Sequence, residues 1–182
     1  EGSRHLPPTA HLDVLPDREA QQDLAMRKKV VSVSEAVALA DHLRHEGKVV
    51  VLTNGVFDLL HPGHVRYLQA ARREGDALIV AVNSDRSVRA IKGPSRPITP
   101  ENERAEVLAA LLCVDMAVVF DEDDPRQIIS RLQPDVLVKG ADWALADIIG
   151  RATVEARGGR VVRVPLADAY STSAIIRKMQ GL

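Results

Sequence analysis

Five short runs of this chain are apolar through their middles and do not alternate with polar residues: Val49–Thr53, Ala77–Asn83, Met116–Phe120, Val136–Lys139 and Arg160–Pro165. A strand with one wet face alternates, whereas a strand without alternation is covered on both faces. Helical patterns fall around these runs, at Ser32–Glu46, Gly63–Glu74, Pro100–Leu112, Pro125–Leu132, Ala144–Ala156 and Thr172–Met179. In the first of them Val33, Ala36, Val37, Ala40 and Leu43 share one face, with Ser34 as the expected N-cap and Gly47 as the stop. Strands that alternate with helices and need cover on both faces give a parallel sheet. Right-handed crossovers then make it a doubly wound, Rossmann-like α/β domain with helices on both faces. Ligands of such sheets sit outside the carboxyl ends of the strands.

Polar clusters follow every predicted strand: Asn54–His64; Asn83-Ser84-Asp85 and then Lys92-Gly93; Asp121–Asp124; Lys139–Trp143; and Ala169–Ser173. Loops of no purpose would scatter over both edges, so their shared edge points to one common site. The most informative cluster reads Asn-Gly-Val-Phe-Asp-Leu-Leu-His-Pro-Gly-His over Asn54–His64. Pro62 suits the first turn of a helix, where its missing N–H costs nothing. A helix start offers free N–H groups and a positive dipole end, which favour phosphate.

His61 and His64 stand beside that start. As zinc ligands they lack partners, since Cys113 is alone and no His-Glu-x-x-His pattern exists. As a base for a nucleophile they lack a nearby Ser or Cys. Two imidazoles facing a polyphosphate can hydrogen-bond it and stabilise the charge that develops when it is split. Asn54 and Gly55 let backbone N–H groups approach a phosphate. Phe57 reads as core, and Asp58 as a residue that orients the loop, orients a histidine or caps the helix.

Residues 86–100 hold Arg86, Arg89, Lys92 and Arg96 without an acid. That is the pattern of a solvated basic face, or of a mobile phosphate clamp over Lys92-Gly93-Pro94-Ser95-Arg96-Pro97, in which Lys92 first and Arg96 second meet phosphate. Arg104 stands in the first turn of a predicted helix, where a cation opposes the dipole, so an anionic ligand or an ion pair is expected beside it. Trp143 is the only tryptophan and either packs on a base or caps the core. Ser171, Thr172 and Ser173 open the last helix, where hydroxyls cap it or bind phosphate. Neither a Gly-x-x-x-x-Gly-Lys-Ser/Thr loop nor a Gly-x-Gly-x-x-Gly fingerprint is present.

The 182 residues fit one domain over 26–182 with an arm or linker over 1–25, where Pro7, Pro8 and Pro16 interrupt any periodicity and Met26 offers a start. Apolar residues make up 46% but aromatics only 3%, so the core is aliphatic. A net charge of -1 argues against nucleic acid held by bulk charge. No run nears the roughly 20 apolar residues of a membrane span, and no signal peptide is visible. Cys113 lies in an apolar run and reads as an inert core thiol. A cytoplasmic protein is expected.

Together these residues resemble the cytidylyltransferase-like nucleotidyltransferase superfamily. Gly55-Val56-Phe57-Asp58-Leu59-Leu60-His61-Pro62-Gly63-His64 and Ser171-Thr172-Ser173 carry the likeness. Thr53-Asn54-Gly55, Val82–Asp85, Lys92-Gly93, Ser95-Arg96-Pro97, Glu103-Arg104 and Val138-Lys139-Gly140 are most similar to the adenylyltransferases of D-glycero-β-D-manno-heptose 1-phosphate. The resemblance spans roughly residues 32–180. It implies transfer of an adenylyl group from ATP to a sugar 1-phosphate, with Mg²⁺ held mainly by nucleotide phosphates and no covalent intermediate. It implies catalytic roles for His61, His64 and Lys92. It implies nucleotide or phosphate contacts from Thr53, Asn54, Gly55, Val56, Phe57, Arg104, Lys139, Gly140, Asp142, Trp143, Ser171, Thr172 and Ser173. It also implies a homodimer or higher homo-oligomer. Two other readings stand beside it: a cytidylyltransferase for glycerol 3-phosphate or a similar alcohol phosphate, and a nucleotide-binding module without catalysis. Against the former, Leu166-Ala167-Asp168 lacks the arginine that glycerol-3-phosphate cytidylyltransferases carry before the Ser-Thr-Ser/Thr motif. Ala169-Tyr170 stands where some relatives have glycine.

Overall fold

The apolar runs pair side by side as one parallel sheet. The structure, a computed structural model, describes residues 29–165, 171–179 and 181. The strands are β1 (Val30–Val31), β2 (Val50–Gly55), β3 (Ala77–Asn83), β4 (Met116–Phe120), β5 (Val136–Gly140) and β6 (Arg160–Val164). Their order across the sheet is β1-β4-β3-β2-β5-β6, and every pairing is parallel. The helices are α1 (Val33–His45), α2 (Pro62–Arg72), α3 (Asp85–Lys92), α4 (Glu101–Ala109), α5 (Arg126–Leu132), α6 (Arg151–Glu155) and α7 (Thr172–Met179). The arm expected over residues 1–25, the Met26 start and residues 166–170 lie outside the described residues.

Successive strand side chains go to opposite faces, and both faces are dry. Val51, Leu78, Val80, Val82 and Val138 join Tyr67 and Leu68 of α2 and Leu108 of α4 in one core. Val50, Leu52, Ile79, Ala81 and Leu137 join Ala36 and Ala40 of α1, Ile128, Ile129 and Leu132 of α5, and Val154 of α6 in the other. This is the doubly wound α/β architecture expected. Cys113 packs against the first core, and burial pushes its thiol pKa up. No described helix is long and apolar enough to cross a membrane.

Several local expectations are corrected. The cap of α1 is Ser32 rather than Ser34. Ser32 Oγ accepts from the Glu35 N–H, and Glu35 Oε2 accepts from the Ser32 N–H at 2.8 Å. This capping box satisfies two orphan donors at once. The expected helix Ala144–Ala156 breaks into a 3₁₀ turn, Leu145–Asp147, and α6. Gly150 separates them with φ 90°, and a Cβ there would lie 2.5 Å from Ile129 Cδ1. Helix α4 ends at Ala109 instead of Leu112, which leaves Leu112 fully exposed. Strand β1 is too short to carry a period. Helix α3 forms within the stretch read as a basic face, and Ser84 Oγ accepts from the Ser87 N–H to cap it.

Because all strands run one way, all their carboxyl ends share one edge. From β2 the chain steps outward to β3 and β4, then returns to the other side of β2 for β5 and β6. The reversal lies between β2 and β5, and a crevice opens at such a point.

Candidate active site

The Thr53 side chain, at the end of β2, is wholly buried, and its hydroxyl meets the Tyr67 hydroxyl at 2.8 Å. Tyr67 OH donates to the Val138 carbonyl at 3.1 Å, so Thr53 is the donor of the first bond. This pair ties α2 to both central strands and fixes where α2 begins. Burial pushes the Tyr67 phenol pKa up, which keeps it a neutral donor. Sequence reasoning missed Tyr67, which looks like an ordinary inward position on a helix.

His61 is the N-cap of α2, with Pro62 at the first position as expected. Its Nδ1 accepts the His64 backbone N–H at 3.3 Å. An Nδ1 that accepts leaves the proton of the neutral ring on Nε2. The two imidazoles stack with centroids 3.8 Å apart and planes 17° from parallel. Phe57 meets the His64 ring edge to face at 5.3 Å, and is both core and cleft wall. Burial pushes the pKa of His61 down. Burial, and secondarily His61 beside it, pushes His64 down to about 4, while the Leu59 carbonyl works weakly the other way. Both rings are therefore largely neutral at pH 7. Among the described residues, His64 Nδ1 and Asn54 Oδ1 are buried without a well-formed hydrogen bond, an arrangement that buried polar atoms rarely keep.

The histidines open on a cleft of about 410 Å³ at the reversal point. Asn54, Val56, Phe57, His61, His64, Lys92, Lys139, Gly140, Asp142, Trp143, Ser171, Thr172 and Ser173 all line it, together with Asp58, Gly63, Tyr67 and Arg96. Lys139 Nζ lies 5.8 Å from the centre of the Trp143 ring. Burial pushes the Lys139 ammonium down to about 8, with Asp142 opposing. Trp143 remains 47% exposed, so its indole has a free face. Ser171 Oγ accepts from the Ala174 N–H and caps α7. Thr172 Oγ1 donates to the Leu59 carbonyl at 3.4 Å, which joins the start of α7 to the histidine loop.

Three expected contacts lie elsewhere. Thr53 and Gly55 stand behind the cleft wall; a Cβ on Gly55 would come within 3.1 Å of the Phe57 ring. The Arg104 side chain is completely buried and spends itself on protein. It donates to the Thr99 carbonyl at 2.8 Å, the Val56 carbonyl at 2.6 Å and Asp85 at 2.7 Å. The ion pair expected beside it is thus with Asp85. It braces the wall instead of facing the cleft, because three acceptors from separate loops converge on it. Of the clusters after β3 and β4, Lys92 reaches the cleft, whereas Asn83-Ser84-Asp85 and Asp121–Asp124 stay outside: Asp121 receives Ser84 Oγ and the Arg86 guanidinium.

A family model, cytidylyltransferase-like, matches residues 52–178. The bifunctional protein HldE of Syntrophotalea carbinolica is 55% identical over 136 residues, covering 75% of this chain and 28% of its own. That of Gluconobacter oxydans is 48% identical over 164 residues, covering 90% of this chain and 34% of its own. The chain thus spans about a third of the length of these curated relatives. Among solved structures, the lipopolysaccharide core biosynthesis protein of Thermoplasma volcanium is 31% identical, with TM-score 0.56, over 69% of this chain and all of that one. Pantoate-beta-alanine ligase of Francisella tularensis matches at TM-score 0.55 over 84% of this chain and 78% of that one; at 13% identity it shares the fold alone.

Proposed function

This chain belongs to the cytidylyltransferase-like family, and from that premise we propose that it is a nucleotidyltransferase. It moves an adenylyl group from ATP to D-glycero-β-D-manno-heptose 1-phosphate. The products are ADP-heptose, for the lipopolysaccharide inner core, and pyrophosphate, and the reaction runs in the cytoplasm. Relatives named HldE and a similar structure named for lipopolysaccharide core biosynthesis support the substrate. The observation that carries the chemistry is the stacked histidine pair at the α2 start, in a cleft shared with Lys92, Arg96 and Lys139.

An oxygen of the sugar phosphate attacks the α-phosphorus of ATP. The bond from that phosphorus to the bridging oxygen breaks, and pyrophosphate leaves with the electron pair. No covalent enzyme intermediate forms, so catalysis is positioning and charge stabilisation. His61 donates from Nε2 to a phosphate oxygen, and His64, held between His61 and Phe57, takes a second. Lys92 and Lys139 supply positive charge to the triphosphate, and the hydroxyls of Ser171 and Ser173 donate to the leaving phosphates at the start of α7, where Thr172 is tied to the Leu59 carbonyl. Trp143 offers its free indole face to the adenine, with Asp142 beside it. Thr53, Gly55 and Arg104 hold the wall behind.

Among the described residues no three His, Cys, Asp or Glu side chains gather as a protein-held metal site does. Asp58 is engaged by protein donors, and Asp142 is the exposed carboxylate of the cleft. These donors fit a Mg²⁺ ion that arrives on the triphosphate, as Mg²⁺ commonly does. When bound it would neutralise charge on the phosphates. A homodimer or higher homo-oligomer belongs to the same reading, as does the absence of nucleic-acid and membrane partners.

The test is pyrophosphate release with Mg²⁺ and the heptose 1-phosphate, run in parallel with ATP and CTP. Release with ATP alone is expected. Release with CTP alone, or nucleotide binding without release, overturns the reading.

A further inference from the structure

Asp58 is the most heavily engaged side chain of the cleft, and only 1% of it meets solvent. Its Oδ2 accepts from Arg96 Nε at 2.6 Å. Its Oδ1 accepts from the Ile98 and Thr99 N–H groups at 2.8 and 2.9 Å. One carboxylate thus fixes both the segment 96–99 and the side chain that leads it. The backbone reaches this position through Phe57, whose φ of 49° is uncommon for a bulky residue. Such strain persists where surrounding structure enforces it.

Arg96 is bound at one end only. Its side chain is 17% exposed and lines the cleft with His61, His64 and Lys92. Nε is taken by Asp58, while the two terminal NH2 groups make no hydrogen bond among the described residues. A guanidinium that spends Nε on Asp58 and keeps both terminal NH2 groups for the cleft presents a two-pronged donor to an anion there. A purely structural arginine would spend those donors on protein, as Arg104 does nearby.

We propose that Arg96 is a phosphate ligand of the cleft and that Asp58 is the positioning residue that holds it by Nε. The carboxylate restrains the long side chain before substrate arrives, so less rotamer freedom is lost on binding. The terminal NH2 pair then forks onto two phosphate oxygens. The inference rests on the cleft being a site for phosphate transfer, and the phosphate belongs to the nucleotide or to the acceptor sugar.

Calorimetric titration of wild-type protein, Arg96→Gln, Asp58→Asn and the double variant tests this with three probes: ATP with Mg²⁺, inorganic pyrophosphate, and heptose 1-phosphate. Arg96→Gln is expected to weaken at least one probe by about ten- to hundredfold. Loss for ATP and pyrophosphate assigns Arg96 to the nucleotide phosphates; loss for the sugar phosphate alone assigns it to the acceptor. Asp58→Asn weakens the same probe in the wild-type background but adds little once Arg96 is gone. Wild-type affinity for all three probes in Arg96→Gln overturns the proposal. An Asp58→Asn loss as large in the double variant as in the single overturns the positioning role. If Asp58→Asn fails to fold, Arg96→Gln alone decides the ligand. Wild-type protein that binds these probes but releases no pyrophosphate overturns the proposed reaction and leaves this inference standing.

Discussion

His61 Nδ1 accepts the backbone N–H of His64, and the two rings stack at 3.8 Å. One imidazole therefore caps the helix, sets its own tautomer and forms the wall of the other. Structure and proposed chemistry share the same atoms here, and substitutions can separate them.

His61→Ala removes both the cap and the Nε2 donor. It should cost about 1 kcal/mol of stability and lower turnover about a hundredfold or more. His61→Asn restores a capping oxygen, so it should regain most of the stability and none of the turnover. His64→Ala should leave the fold intact and lower turnover by a similar factor. Thermal unfolding beside pyrophosphate release checks all three. Near-normal turnover in a folded His64→Ala protein would remove the histidine from the mechanism.

The buried rings also set a pH dependence of stability. The folded pKa of His64 is about 4, against roughly 6.5 unfolded. Between those values the unfolded chain binds the extra proton and the native protein does not. Stability therefore rises with pH across this window and is lost as pH falls from about 6.5 toward 4. Since part of the ring still meets water, the loss should be on the order of 1–2 kcal/mol. Urea unfolding of wild type and His64→Gln at pH 7 and pH 5 measures it. The variant should show the smaller change, and equal changes would refute the assignment.

The doubly wound sheet was legible because its strands do not alternate, and the site edge because polar clusters follow those strands. His61, Pro62 and His64 could be placed from spacing alone, since a helix start is a local event. Arg104 could not. Its position near the start of α4 says that it meets an anion or a partner, and the choice belongs to Val56, Thr99 and Asp85, which only the fold brings together. Tyr67 was hidden for the same reason, with hydroxyl partners 14 and 71 residues away. The break at Gly150 depends on Ile129, a neighbour from another helix. Local chemistry reads from the chain, whereas the direction of a long side chain is set by tertiary acceptors.

Lys139 should impose a second pH limb. Its ammonium titrates near 8 because burial disfavours the charge. Below that value it attracts phosphate; above it the amine is neutral and the attraction is lost. The kcat/KM for ATP should therefore fall as pH rises through about 8, since this parameter reports groups of the free enzyme. Lys139→Arg should carry the limb beyond the accessible range, because a guanidinium stays protonated. Lys139→Met should flatten it at a low value. A wild-type profile unchanged from pH 7 to 9 would contradict the role.

Arg104→Met tests the wall behind the cleft. Methionine fills much of the volume but supplies no donors, so the Val56 and Thr99 carbonyls and Asp85 each lose a partner. Removing one member of a buried pair is costly because the other stays behind. Asp85 still receives solvent, with its side chain 26% exposed, which moderates the loss. About 2–4 kcal/mol is expected in urea unfolding. The consequence for the site is indirect: Val56 lines the cleft, and Thr99 also donates its N–H to Asp58. Folded Arg104→Met protein should therefore bind ATP more weakly in a calorimetric titration, and raising Mg²⁺ should not restore the affinity. A variant as stable as wild type would mean that the brace carries no load.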